Sequence, residues 1–125
     1  MDKTQILVID DDRDLALGLK ARLRANNYTT VFATAAVSAI SRAKKQAPDL
    51  ILLDLGLPAG DGFVVMERLD NIESLSSIPV IVMSARDPQA NKIRALGAGA
   101  KAYFQKPVDN DELLTAIRNV LGETN

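Results

Sequence analysis

Two kinds of hydrophobic pattern alternate along the chain. The first kind is a short apolar run rich in β-branched residues, which is typical of a buried strand. The runs "ILVI", "LILL" and "VIVM" are apolar at every position, as expected for parallel strands that are covered on both faces. The pattern predicts strands at residues 5–9, 29–33, 50–53, 80–83 and 102–105.

The second kind of pattern follows each strand and repeats an apolar residue every third or fourth position. This spacing predicts an amphipathic helix with one face towards a core. The five stripes are Leu15, Leu19 and Leu23; Val37, Ile40 and Ala43; Val65, Leu69 and Ile72; Ile93, Leu96 and Ala100; and Leu113, Ile117 and Leu121.

Residues that begin and end helices agree with this alternation. Asp87 precedes Pro88 as a helix cap before a proline, and Asp109 with Glu112 resembles a capping box. Pro48, Gly97, Gly99 and Gly122 can end helices. Five strand–helix units without a linker or repeat predict one domain over residues 1–125, an α/β fold with a doubly wound parallel sheet and helices on both faces.

Composition narrows the function classes. The chain of 125 residues is 47% hydrophobic and 25% charged, which indicates a globular protein. A net charge of −1 gives no overall reason to expect binding to nucleic acid or to an anionic membrane. The absence of cysteine and histidine excludes disulfides, thiolate zinc sites and imidazole catalysis within this chain. No apolar run reaches the length of a membrane span and no signal peptide is present, so we expect a cytoplasmic location.

Polar residues collect where the predicted strands end. In doubly wound folds, ligands bind outside the carboxyl ends of the strands. Adjacent carboxylates repel one another, so these acids either face solvent in a turn or surround a positive group. The residues delivered to this edge are Asp10, Asp11 and Asp12 after the first strand, Thr34 after the second, Asp54 after the third, Ser84 after the fourth and Lys106 after the fifth.

Together these residues favour phosphoryl chemistry. Converging carboxylates can hold a divalent cation, and all-oxygen ligands favour Mg²⁺ over zinc. Lys106 offers a positive charge to a phosphate or a carboxylate, and Ser84 offers a hydroxyl donor. Without histidine or cysteine, the plausible covalent acceptor is a carboxylate, which would give an aspartyl phosphate. Each residue taken singly is also compatible with an ordinary turn, cap or surface position.

The chain resembles a response-regulator receiver domain of two-component signalling over essentially its full length. The matching stretches are "ILVIDDDRD", "PDLILLDLGLPAGDG", "IPVIVMSA" and "GAGAKAYFQKP". The resemblance implies a flavodoxin-like (βα)5 fold with strand order 2-1-3-4-5. It also implies a phosphorylation-controlled switch whose partner is a histidine kinase or a histidine phosphotransfer protein. Such a domain is a phosphoacceptor that catalyses only its own phosphoryl transfer and slow autodephosphorylation.

Site roles carry over from the resemblance residue by residue. It implies that Asp54 is the phosphoacceptor and that Asp10 and Asp11 are the acidic pair for Mg²⁺, with Asp11 the more direct ligand. Asp54 and the backbone carbonyl of Gly56 complete the implied metal ligands. Lys106 would contact the phosphoryl group.

The resemblance also implies how the signal is passed on. Ser84 would be the switch hydroxyl, and Tyr103 the switch aromatic whose rotamer follows Ser84. The face formed by the fourth helix, fifth strand and fifth helix would then change. Asp12 would cap a helix, and the bond between Lys106 and Pro107 would be cis.

Some positions depart from the family pattern. Gly56 stands where a larger residue is common; this position and Arg86 flank the phosphoryl group in the family and influence its lifetime, in a direction that the sequence does not predict. Lys101 and Ala102 replace an acidic pair typical of winged-helix DNA-binding regulators, so Arg118 would lack its partner at their dimer interface. The short tail after the last helix slightly favours a piece cut from a longer regulator or hybrid kinase over a stand-alone receiver.

Other functions stay open or fail on specific residues. A domain of the same fold that serves only as an unphosphorylated docking module remains possible. A haloacid dehalogenase-type phosphatase would use Asp10 as nucleophile, but Asp14 stands where Thr or Val is usual, and the chain has neither the late acidic motif nor room for a cap domain. A calcium loop fails because Leu15 replaces the required Gly and Ala21 the required Glu. "GAGAKA" fails as a dinucleotide motif because it lies between a helix and a strand.

Overall fold

The computed structural model describes residues 3–57 and 62–123. Strands and helices alternate along these ranges, as the hydrophobic pattern predicts. The strands are β1 Thr4–Ile9, β2 Tyr28–Ala33, β3 Leu50–Asp54, β4 Val80–Ser84 and β5 Ala102–Gln105. The helices are α1 Arg13–Ala25, α2 Ala36–Gln46, α3 Gly62–Asn71, α4 Pro88–Gly97 and α5 Asn110–Val120. Among these helices none is both long enough and apolar enough to cross a membrane.

The five strands form one parallel sheet in the order β2-β1-β3-β4-β5. This confirms the predicted doubly wound topology, in which the chain builds outwards on both sides of β1 and β3. The register aligns Ile9 with Leu53, and Asp54 with Met83. The carboxyl ends of β1, β3 and β4 therefore meet at one edge, where such folds form their ligand crevice.

Alternate residues of the strands pack into two hydrophobic cores, one on each face of the sheet. Ile51 and Leu53 pack on the side covered by α2, α3 and α4. Leu50 and Leu52 pack on the other side, with α1 and α5. All four side chains are fully buried, because a strand presents successive residues to opposite faces and both faces are covered here.

Among the described residues, aspartate side chains cap three of the helices. Each carboxylate accepts a hydrogen bond from a backbone N–H of the first turn, which that turn leaves unpaired. The predicted caps at Asp87 and Asp109 are confirmed, and Asp12 caps α1. The pairs are Asp12 with the N–H of Leu15, Asp87 with that of Gln89, and Asp109 with that of Glu112.

The predicted core-facing stripe of the fourth helix is wrong. Ile93 is 80% exposed and Leu96 is 41% exposed, whereas Ala100 is buried but lies beyond the end of α4. Within α4, all of which the structure describes, Ala95 is the buried residue. Periodicity identifies an apolar stripe, but the sheet here is packed by the small side chain of Ala95 on a different face of the helix.

The second helix shows the same preference for small residues. Val37, which we predicted to face the core, is 75% exposed. The residues of α2 that are buried are Ala36, Ala39 and Ala43. An alanine face allows a helix to lie close to a sheet, so a larger apolar side chain such as that of Val37 can be left on the outside.

Three contacts fasten the outer helices and the residues that follow α5. The Arg94 guanidinium of α4 lies over the ring of Phe63 on α3, 3.8 Å from its centroid. At the end of α5, Arg118 Nη2 donates to Asn26 Oδ1 at 2.8 Å, so Arg118 has a partner within the chain. The Tyr28 hydroxyl donates to Glu123 Oε1 at 2.7 Å, which joins the start of β2 to the residues after α5.

Candidate functional site

Three carboxylates converge at the carboxyl edge of the sheet. Asp10 directly follows β1, and Asp54 is the last residue of the neighbouring β3. One carboxylate oxygen from each of Asp10, Asp11 and Asp54 lies within 4.8 Å of the others. Asp10 and Asp54 are buried, whereas Asp11 is exposed, so the cluster opens to solvent on one side. The predicted convergence of these acids is therefore present.

Lys106 supplies a positive charge to this cluster. Its Nζ donates to Asp10 Oδ2 at 2.7 Å and lies 3.6 Å from Asp54 Oδ2. The backbone N–H of Lys106 donates to the carbonyl of Ser84 at 2.8 Å, which holds residue 106 beside the end of β4. The bond between Lys106 and Pro107 is cis. The ammonium thus reaches acids on two adjacent strands.

The carboxylates of Asp10 and Asp54 are held in the same way. Asp10 Oδ1 accepts from the N–H of Asp12 at 2.9 Å, and Asp54 Oδ1 accepts from the N–H of Gly56 at 3.1 Å. In each acid the second oxygen, Oδ2, is the one that faces Lys106. A backbone donor two residues further along therefore fixes the orientation of each carboxylate. Asp12 itself caps α1.

Burial perturbs the ionisation of the two paired groups. Desolvation raises the pKa of the Asp10 carboxyl, although the hydrogen bonds from Lys106 and from the Asp12 N–H work in the opposite direction. Desolvation also acts to lower the pKa of Lys106, but the hydrogen bond and charge of Asp10 and the charge of Asp54 outweigh it, so that this pKa is raised. The lysine therefore stays charged, and the negative charge of Asp10 is costly at this position.

The hydroxyls of Ser84 and Tyr103 both bind the backbone of Arg86. Ser84 is fully buried, and its Oγ accepts from the N–H of Arg86 at 3.0 Å, a bond that does not use the hydrogen of the hydroxyl. The Tyr103 hydroxyl donates to the carbonyl of Arg86 at 3.2 Å. The partly buried Tyr103 ring packs against the core on the α2–α3–α4 side. A movement of Ser84 can therefore reach Tyr103 through one residue.

The donor set fits a small divalent cation. Three carboxylates provide only hard oxygen ligands, and an exposed edge leaves positions for water and phosphate oxygens, as Mg²⁺ sites require. Asp10 and Asp54 share the positive charge of Lys106, and a bound cation would place a second positive charge beside them. The role predicted for the carbonyl of Gly56 stays a prediction.

The family model described as "Response regulator receiver domain" matches residues 6–118. The chain belongs to this family. The matched range contains all of the acids, the lysine, the hydroxyl and the aromatic residue described above. The members of this family are signalling domains of two-component response regulators, and the fold and the sequence resemblance noted above agree with this assignment.

Among curated proteins, the receiver domain is 37% identical over 115 residues to the transcriptional regulatory protein KdpE of Mycobacterium tuberculosis (strain ATCC 25618 / H37Rv). That match covers 92% of this chain and 50% of KdpE. The response regulator PleD of Caulobacter vibrioides is 34% identical over 116 residues, covering 93% of this chain and 26% of PleD. The chain spans about half the length of KdpE and a smaller share of PleD.

Solved structures of receiver domains have the same architecture. A CheY-like receiver domain protein of Methanospirillum hungatei superposes with a TM-score of 0.89 at 26% identity, covering 97% of this chain and 95% of that one. The receiver domain of sensor histidine kinase PA1611 of Pseudomonas aeruginosa gives a TM-score of 0.88 at 26% identity, covering 98% and 100%. In that crystal structure a magnesium ion is coordinated in the active-site cleft.

Two features of the site have little or no signal in the sequence. The first feature is the hydrogen bond from the Tyr103 hydroxyl to the backbone carbonyl of Arg86. These residues are 17 positions apart, and the sequence carries no signal for this bond. The second feature is Gly62, the last residue of "PDLILLDLGLPAGDG", to which neither the hydrophobic pattern nor the resemblance assigns a role. Its signal was the glycine itself at the start of a predicted helix, where a close backbone approach was worth considering.

Proposed function

We propose that this receiver domain accepts a phosphoryl group on Asp54, in a reaction that depends on Mg²⁺, and changes its α4–β5–α5 face in response. The observation that carries the proposal is the position of Lys106, whose Nζ spans Asp10 and Asp54 beside three converging carboxylates. Acids and one mobile cation at the edge of a doubly wound sheet match the needs of phosphoryl transfer, which relies on positioning and charge neutralisation.

Asp10, Asp11 and Asp54 would hold the cation, with the carbonyl of Gly56 as a further ligand. When bound, Mg²⁺ would offset the negative charge of the acids and of the incoming phosphoryl group. Lys106 lies close enough to Asp54 to contact a phosphoryl oxygen attached there, and its pKa, raised by Asp10 and Asp54 against the effect of burial, keeps it cationic. These residues therefore supply charge and orientation.

The donor is a phosphohistidine on another protein, since this chain contains no histidine. A carboxylate oxygen of Asp54 forms a bond to phosphorus while the bond from phosphorus to the imidazole nitrogen breaks. The electron pair of the broken bond stays on that nitrogen, which takes a proton. The products are an aspartyl phosphate and a neutral histidine.

A histidine kinase or a histidine phosphotransfer protein is the partner of this class. The site itself carries an excess of negative charge, and the chain has a net charge of −1, so neither nucleic acid nor a membrane is a proposed partner of this domain.

The response begins at Ser84. Its hydroxyl would turn towards the new phosphoryl oxygen and leave the N–H of Arg86, which it accepts from here at 3.0 Å. Tyr103 is bound to the carbonyl of the same residue, so its ring would follow, and the α4–β5–α5 face would shift. The phosphoryl group needs only to favour one of two existing conformations.

Acetyl phosphate tests the chemistry without a protein partner. Incubation with and without Mg²⁺, followed by intact mass measurement, should show one added phosphoryl group that requires the metal. Asp54→Ala should show none. If no adduct forms on the wild-type chain, a complex with beryllium fluoride and Mg²⁺ should be sought, because a short-lived phosphoryl group would escape detection. Failure of both measurements would favour the docking module.

Asp10→Asn distinguishes the receiver from the phosphatase alternative. In the phosphatase, Asp10 would be the nucleophile and its loss would abolish adduct formation altogether. In the receiver, Asp54 remains as acceptor, and the variant loses Mg²⁺ affinity. An adduct that reappears on Asp10→Asn at high Mg²⁺ concentration therefore supports Asp54 as acceptor.

A further inference from the structure

The start of α3 lies in direct contact with the backbone of the proposed acceptor strand. Gly62, the first residue of α3, donates its N–H to the carbonyl of Leu55 at 2.9 Å. Leu55 immediately follows Asp54, the last residue of β3. This hydrogen bond therefore joins a helix to the peptide unit between Leu55 and Gly56, whose N–H donates to the Asp54 carboxylate.

The approach is so close that only glycine fits. A Cβ on residue 62 would lie 2.6 Å from Leu55 Cα and 2.8 Å from the Asp54 carbonyl oxygen, whereas ordinary contact begins at 3.4 Å. Both of these atoms belong to the backbone, so rotation of a side chain cannot relieve the overlap. Any side chain at residue 62 must push α3 and the end of β3 apart by several tenths of an ångström.

The atoms that would move belong to the acceptor residue and to its neighbour. The Asp54 carboxylate is oriented by the N–H of Gly56, which accompanies the peptide after Leu55. Its other oxygen lies 3.6 Å from Lys106 Nζ, so a small rotation changes that distance. Reactions that depend on positioning lose rate steeply when the reacting atoms are displaced, by about 100-fold for a shift of about 1 Å.

We propose that Gly62 is a positioning residue for phosphoryl transfer to Asp54, because its lack of a side chain sets the backbone that aims the Asp54 carboxylate. This inference rests on the function proposed above. Gly62 contacts no substrate; it acts through the backbone of Asp54 and Leu55. The chemistry at Asp54 is unchanged, and what Gly62 determines is the orientation of the nucleophile.

The test compares Gly62→Ala and Gly62→Ser with the wild-type chain, using acetyl phosphate at saturating Mg²⁺. Both variants should be folded by circular dichroism at the assay temperature, yet react about tenfold or more slowly per folded molecule. Their losses should be similar, because the colliding atom is the Cβ that both share. The matched control is Gly18→Ala on the exposed face of α1, where a new Cβ meets nothing within 4 Å and the rate should not change.

A second variant guards against simple unfolding. Gly62→Ala in the Gly18→Ala background gains helix stability, because alanine replaces an exposed helical glycine. A wild-type rate in either folded variant would overturn the proposal, as would failure of both to fold, since Gly62 would then maintain the fold without a separate role at Asp54. A wild-type chain that does not react, and does not bind beryllium fluoride, would instead refute the proposed function.

Discussion

Lys106 Nζ is 2.7 Å from Asp10 Oδ2 and 3.6 Å from Asp54 Oδ2, so the lysine is hydrogen-bonded to the acid that is not the proposed acceptor. Asp10 is the more deeply buried of the two side chains, with no exposed area against 10% for Asp54. The ammonium therefore neutralises the acid that water reaches least and leaves Asp54 without a direct hydrogen bond from it. A nucleophile held in this way keeps its oxygen available for a phosphoryl group.

Replacing Lys106 with methionine should destabilise the protein without metal. The buried Asp10 carboxylate would lose its charged partner, which costs about 1–3 kcal/mol. Mg²⁺ should raise the melting temperature of Lys106→Met more than that of the wild type, because the cation then supplies the missing positive charge. Thermal denaturation with and without Mg²⁺ measures both effects.

Lys101→Met is the matched control for that experiment, since Lys101 is exposed and the substitution removes the same charge. It should leave the response to Mg²⁺ unchanged. An equal response to Mg²⁺ in Lys106→Met and in the wild type would show that Lys106 does not balance the charge of this cluster.

Asp10→Asn should stabilise the protein when no metal is present. Burial raises the pKa of Asp10, so the protonated form contributes stability below the ordinary value of 3.8, and this is lost as the pH rises through the higher pKa of the folded state. At neutral pH, removal of the charge should therefore increase the free energy of unfolding. The gain should vanish towards acid pH, as urea denaturation at several pH values would show.

Mg²⁺ should reverse the order of the two proteins, because the wild type binds the cation more tightly than Asp10→Asn. Asp14→Asn, which removes an exposed charge from the first turn of α1, controls for the change in net charge. A metal-free Asp10→Asn protein that is less stable than the wild type at neutral pH would mean that the ion pair with Lys106 outweighs burial.

Tyr103 can report on the proposed switch by its own fluorescence. The chain has two tyrosines and no tryptophan, so Tyr28→Phe leaves Tyr103 as the sole tyrosine. Beryllium fluoride with Mg²⁺ should reduce quenching of this fluorescence by acrylamide, because the ring would turn further inwards. Adding Ser84→Ala should suppress the change. A change of equal size in the Ser84→Ala variant would show that the movement of the Tyr103 ring does not depend on the Ser84 hydroxyl.

The hydroxyl of Tyr28 should ionise at a higher pH than that of an ordinary tyrosine. Burial and, secondarily, the hydrogen bond to Glu123 raise the pKa of Tyr28 to about 12, so its stabilisation of the fold is present below 10.0 and is lost as the pH rises towards 12. Ultraviolet absorbance of a Tyr103→Phe variant, whose only tyrosine is Tyr28, measures this pKa. Glu123→Gln should lower the pKa but leave it above 10.0, since burial is the larger cause.

The hydrogen bond between Tyr28 and Glu123 should also contribute to the stability of the fold. Tyr28→Phe removes the hydroxyl while the ring stays packed, and should lower the free energy of unfolding by about 1 kcal/mol. Combining it with Glu123→Ala should add little, because both changes remove the same hydrogen bond. Fully additive losses would show that the two residues act separately.

The sequence predicts the order of elements and the meeting of Asp10, Asp54 and Lys106 well. Both follow from one rule: continuous apolar runs make parallel strands, and the carboxyl ends of parallel strands share an edge. Lys106 and Asp10 are 96 positions apart, yet no knowledge of side-chain packing is needed to bring them near each other.

Helix orientation and close packing are less accessible to sequence reasoning. The apolar spacing of Ile93 and Leu96 predicts that their face of α4 packs on the sheet, but the buried residue is Ala95. A small side chain is favoured there because the helix lies close to the sheet. The requirement for glycine at residue 62 depends on the gap between α3 and β3. Such distances come from the assembled layers and leave no periodic pattern.

The thin attachment of α4 has a consequence for local unfolding. Ala95 is the buried residue of α4, whereas α3 buries Gly62, Phe63, Val65, Met66 and Leu69. Detaching α4 therefore exposes less apolar surface than detaching α3 would, and it breaks the Arg94–Phe63 contact, which is worth about 0.5–1 kcal/mol near a surface. We expect the amides of α4 to exchange with deuterium well before those of α3, through openings that leave the sheet and the acidic cluster intact.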